Sequence, residues 1–64
     1  MILDIQKVLL ATAEKRMNFT DVLKLAHVSS FTAKRIKAGK EVQTKTAGKL
    51  AAVLGVNVAD LLKE

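Results

Sequence analysis

Val28-Ser29-Ser30-Phe31-Thr32-Ala33-Lys34-Arg35-Ile36-Lys37-Ala38-Gly39 carries a helix start, a helix stop and a two-sided pattern within twelve residues. Ser29 suits a helix N-cap, because its side-chain oxygen accepts a bond from a first-turn amide that has no partner inside the helix. Gly39 suits a helix stop, because glycine adopts the left-handed conformation without a steric penalty. Across the stretch Val28, Ala33 and Ile36 fall on one side at helical spacing, and Ser30, Phe31, Lys34 and Arg35 fall on the other. The stretch therefore predicts a helix of about Ser30 to Ala38 with one face buried and one presented outward. Such a helix is roughly 13 Å long, a size that suits a DNA major groove about 12 Å wide better than a catalytic cleft.

The flanking sequence supplies a scaffold for that helix. Asn18 offers an N-cap with Asp21 three residues on, and Met17 and Val22 stand at the positions of a hydrophobic staple. A second helix, roughly Phe19 to Ala26, follows with Val22, Leu23 and Ala26 inward. His27 occupies the turn between the two helices, where a left-handed residue is wanted and histidine is among the tolerated types. Ahead of it, residues 2 to 16 carry Ile5, Val8, Leu9, Thr12 and Ala13 at helical spacing. Asp4 stands in the first turn of this helix and Lys15 and Arg16 in the last, as the helix dipole prefers. Ile2, Leu3 and Leu10 fall off the stripe and leave surplus apolar surface.

Downstream, Lys40 to Gln43 reads as a polar loop. Thr44 then caps a fourth helix that runs to Leu54 and closes at Gly55, with Leu50, Ala51 and Leu54 as its stripe. Gly48, inside that helix, costs about 1 kcal/mol relative to alanine and is expected where another helix crosses closely. Val56, Asn57, Asp60 and Leu61 repeat the cap-and-staple pattern and predict a fifth helix from about Val58 to Lys63. No segment shows strand alternation. The expected fold is all-α, five short helices in one domain spanning 1–64.

Composition narrows the function classes. A chain of 64 residues buries only about 60% of its unfolded surface, so its stability should be modest. Cysteine is absent and His27 is the one histidine, which leaves no basis for a disulfide or a zinc site, and no cofactor is expected. The core must be aliphatic, since Phe19 and Phe31 are the only aromatic residues. No apolar run approaches the roughly 20 residues of a membrane span and no signal core follows the N-terminus, so a cytoplasmic location is expected. There is no paired-carboxylate cluster, no nucleophile beside a histidine and no glycine-rich phosphate loop, which argues against an enzyme and a small-molecule substrate.

The net charge of +5 is unevenly placed. Lys34, Arg35, Lys37, Lys40, Lys45 and Lys49 stand against Glu41 alone, and everything outside that window cancels. The excess lies on the outward helix and just after it, as expected of a surface that meets nucleic-acid phosphates.

The run Asn18 to Leu62 resembles the Cro/repressor helix-turn-helix family of bacterial and phage transcription regulators. The matching residues are Val28-Ser29 at the turn, Ile36 and Gly39 at the end of the third helix, Leu50-Ala51 and Leu54-Gly55-Val56 in and after the fourth, and Leu61-Leu62. The resemblance implies a five-helix, lambda-repressor-like domain whose second and third helices bind double-stranded DNA. Carried over by position, it puts base-reading sites at Ser30, Phe31, Lys34 and Arg35. Backbone-contacting sites fall near Phe19, Ser29, Ala38, Lys40 and Lys45. Where family members often have Gln, Glu and Pro, this chain has Phe19, Lys37 and Gln43.

Bottom-up chemistry agrees in outline. Arg35 can donate two bonds to guanine, Lys34 is a flexible point charge, and Phe31 suits either a thymine methyl or a fold back over the second helix. Ser29, Lys37, Lys40, Lys45 and Lys49 are the candidates for phosphate contact. One such domain covers few base pairs, so a homodimer on DNA is expected, its seam on Val58, Leu61 and Leu62 or on Ile2, Leu3 and Leu10. The competing expectation is a protein-interaction module on the same fold, such as an antirepressor, a partner of a repressor protein, or an antitoxin.

Overall fold

The computed structural model describes residues 1–64 and contains four α-helices and one 3-10 turn. The helices are α1 (Ile5–Glu14), α2 (Phe19–Ala26), α3 (Ser30–Lys37) and α4 (Thr44–Leu54), and the 3-10 turn is Val58–Leu61. α2 packs chiefly on α4, and the 3-10 turn closes against both α1 and α4. Leu3, Val8, Val22, Ile36, Leu50, Leu54 and Leu61 are the large, fully enclosed side chains, so the core is aliphatic as composition required. Each such side chain contributes about 1.5–3 kcal/mol through burial.

All four helices end in the same way. In each, the residue after the C-terminal turn takes a positive φ: Arg16 at 58°, His27 at 56°, Gly39 at 71° and Gly55 at 68°. The next amide then reaches back five residues, as in Met17 N to Thr12 O (3.2 Å), Val28 N to Leu23 O (2.9 Å), Lys40 N to Arg35 O (2.9 Å) and Val56 N to Ala51 O (3.1 Å). This is the Schellman closure, which partners carbonyls that a helix end leaves free. Met17, Val28 and Val56 pack against the core at three of these ends, whereas Lys40 is exposed at the fourth.

The fifth helix is not present. Asp60 Oδ2 accepts from Asn57 N at 3.2 Å, one half of a capping box, but the turn stops at Leu61 and Leu62 is extended. The backbone groups that would have continued a helix are taken by the start of the chain. Leu3 pairs with Leu62, Lys63 N donates to Ile2 O (3.0 Å), and Asp4 N donates to Leu61 O (2.8 Å). On its other side Ile2 pairs with Glu41, and Val42 N donates to Met1 O at 2.7 Å. Residues 1 to 4 thus form an extended tie between the α3–α4 loop and the last residues.

That tie corrects the reading of the first helix. Ile2 and Leu3 are not helical, and Asp4 is the cap itself, its Oδ1 accepting from Gln6 N (2.9 Å) and Lys7 N (3.4 Å). The buried side of α1 is Val8, Ala11 and Thr12, while Leu9 and Leu10 are exposed. Val8 and Thr12 belong to both the expected stripe and the buried side, and the helix is turned by roughly 70° between the two. Gly48 is a further correction, because a Cβ built there would meet nothing within 4 Å and no helix crosses it closely. α4 starts from Gln43 with no side-chain cap bond, one residue before the expected Thr44.

Candidate nucleic-acid interface

The position of α3 is fixed at both ends and along its inner side. Ser29 caps it, with Oγ accepting from Thr32 N at 3.2 Å and donating to Thr32 Oγ1 at 3.1 Å. Ala33 and Ile36 are buried, and Val28 packs against the core. At about 100° per residue this leaves Phe31 and Ala38 pointing most directly outward, with Lys34 on one flank and Arg35 on the other. Ser30 and Lys34 are exposed, and Phe31 is 64% exposed, so its ring does not fold back onto the core.

The two flanks differ. On the side of α2, Lys37 Nζ lies 5.4 Å from the centroid of the Phe19 ring, a cation–π contact between the first residue of α2 and the last turn of α3. Both residues depart from the types usual in the family that the sequence resembles, and here they touch each other. On the opposite side Arg35 turns toward the α3–α4 loop. Its Nε and Nη2 donate to the carbonyl oxygen of Glu41 at 3.2 and 2.9 Å. The guanidinium expected at a base edge is thus engaged with the protein's own backbone.

Lys40, Lys45 and Lys49 are all exposed. Lys40 lies in the loop after Gly39 and Lys45 in the first turn of α4. Lys49 stands one turn, about 6 Å, further along α4. The ion pairs in the structure join the Met1 amino group to Glu41 (3.6 Å) and Lys7 to Glu64 (3.1 Å). Lys34, Lys37, Lys40, Lys45 and Lys49 have no carboxylate partner, so their charge is uncompensated within the molecule. No cluster of His, Asp and Glu suited to a metal ion forms, and no helix is long and apolar enough to cross a membrane.

Of the expected seam residues, Leu61 is corrected outright. It is 1% exposed, because the 3-10 turn drives it between α1 and α4. Leu3, the alternative on the first helix, is also 1% exposed, drawn in by the extended tie. Val58 and Leu62 are half-buried, while Ile2 and Leu10 remain exposed. Sequence reasoning missed the Arg35–Glu41 and Phe19–Lys37 contacts. The second had a signal, two departures from the family pattern in residue types that attract each other; the first had none, since any polar loop offers carbonyls.

Comparison with known proteins gives one result. No curated protein and no solved structure matches the chain. The family model for the Cro/C1-type HTH DNA-binding domain matches residues 7–63, which takes in α2, α3, the turn between them and nearly all of the supporting helices. An exposed, capped α3 set on α2 by a left-handed turn, with unpaired lysines around it, is the arrangement such a domain requires, and the chain belongs to the Cro/C1-type helix-turn-helix DNA-binding family.

Proposed function

We propose that this domain is a sequence-specific transcriptional regulator of Cro or repressor type, which inserts α3 into the major groove of operator DNA and represses by excluding polymerase. The observation that carries the reading is the outward face of α3. Ser30, Phe31 and Lys34 stand exposed there, with nothing of the protein's own covering them. They are the groups we assign to base edges: a hydroxyl, an apolar ring for a thymine methyl, and a cation for guanine or phosphate.

Around them Ser29, Lys37, Lys40, Lys45 and Lys49 are assigned to the phosphate backbone, where lysines without carboxylate partners release condensed counterions on binding. Two domains on half-sites about 34 Å apart would supply the specificity that one lacks. With Leu61 and Leu3 in the core, the homodimer seam falls to Val58 and Leu62 or to the exposed Leu9 and Leu10 of α1.

A second reading has its own support. Leu10 and Leu25 are 64% and 60% exposed, and a protein-interaction module of antirepressor, repressor-partner or antitoxin type would use such groups. Selection of bound sequences from random duplex DNA, at an ionic strength of about 0.15 M, separates the two. The regulator reading predicts enrichment of a palindromic motif. Binding without enrichment would favour the interaction module.

A further inference from the structure

We infer that Arg35 is a positioning residue of the DNA interface, which holds the α3–α4 loop and sets Lys40 against a phosphate, and that base reading belongs to its neighbours. The inference rests on the DNA-reading proposal above and concerns which residue does what within it. Three of the four helix ends share a device that the fourth lacks. After α1, α2 and α4 the residue following the left-handed position is Met17, Val28 or Val56, and each packs into the core. After α3 that residue is Lys40, exposed and charged, so no apolar contact fastens the chain there.

Arg35 takes over the task with its side chain, since its backbone bond to Lys40 N is the closure that every helix end makes. Its backbone carbonyl accepts from Lys40 N at 2.9 Å, and its guanidinium donates twice to Glu41 O at 3.2 and 2.9 Å. Lys40 is therefore held between two attachments to a single residue. Glu41 is in turn paired with Ile2, and Val42 with Met1, so the loop is fixed from its far side as well. The Nε edge of the guanidinium cannot turn to guanine without releasing the Glu41 carbonyl and loosening the loop that carries Lys40, which leaves only the Nη1 end free for DNA. With the clamp in place, Lys40 is presented to the backbone of DNA from a loop that is already ordered, and only its side chain is left to fix.

The test is a double-mutant cycle on DNA binding with the full chain. Using the duplex selected by the unaltered protein and its single-base variants, dissociation constants are measured over a range of salt for the parent, Arg35→Ala, Lys40→Ala and the double variant. A positioning role predicts that Arg35→Ala weakens binding to all duplexes by one common factor and leaves the selected motif unchanged. It also predicts that Lys40→Ala loses most of its effect in the Arg35→Ala background. Residues coupled through one network depart from additivity by roughly 2- to 150-fold. The salt slope should fall by about 0.9, the value of one phosphate contact, on Arg35→Ala and fall little further in the double variant.

Nuclear magnetic resonance of the Arg35 Nε–H supplies a readout that does not depend on a variant folding. The signal should stay protected and little shifted between the free protein and its complex. Loss of preference at one base position in Arg35→Ala, additive effects of the two substitutions, or a large shift of Nε–H on the selected duplex would overturn the positioning role while leaving the regulator reading intact. Failure of the unaltered chain to enrich any sequence would overturn the regulator reading, and the positioning role with it.

Discussion

His27 holds a left-handed backbone, φ 56°, in the turn that sets α3 on α2, and its side chain is exposed. The strain of a Cβ in that conformation is removed by glycine, so His27→Gly should raise stability by about 0.5–1 kcal/mol, read as a higher thermal midpoint. Gly48 presents the reverse case, a helical glycine with open space where a Cβ would go. Gly48→Ala should add about 1 kcal/mol, which for a domain this small is about 4–8 °C in the midpoint. A lower midpoint would show that something does approach position 48. Phe31→Ala removes an exposed ring and should leave stability within about 0.5 kcal/mol. The same change should weaken binding to the selected duplex more than binding to random DNA, which equilibrium titration of both would show.

The elements divide by how their ends were specified. α2 and α3 were legible from sequence because cap, staple, stripe and stop all agree within a few residues: Asn18 with Asp21, Ser29, Val22 and Ala26, Ile36 and Gly39. α1 starts later than its apolar pattern implies, because Ile2 and Leu3 extend that pattern although Asp4 is the true cap. The fifth helix failed for a related reason. Asp60 does bond Asn57 N, but the backbone beyond Leu61 finds its partners in residues 2 and 3, about sixty positions away in the chain, and no local signal encodes such a pairing. The tie itself can be tested. Leu3 is 1% exposed, so Leu3→Ala should cost about 2–5 kcal/mol, a large part of the stability of so small a domain. Ile2→Ala, at a residue 43% exposed, should cost much less, both costs being read by denaturant titration. Equal costs would mean that residues 1 to 4 are not held as described.

At the scale of the whole molecule, the charge pattern was legible and its geometry was not. The sequence window from Lys34 to Lys49 carries the excess charge, but only the fold shows that its lysines lack carboxylate partners while Arg35 is turned to Glu41. Binding should therefore weaken steeply with salt. Changing Lys45 to alanine should lower the slope of log affinity against log salt by about 0.9, and an unchanged slope would take Lys45 out of the interface. In the proposed function, α3 and the loop after it form the surface that meets DNA. The most direct measurement follows backbone amide resonances while the selected duplex is added. The account predicts that the largest shifts fall on Ser29 through Lys40 and on the first turn of α4, with the exposed side of α1 around Leu9 and Leu10 unaffected apart from any dimer contact. Shifts centred on α1 and Leu25, with α3 unchanged, would contradict it.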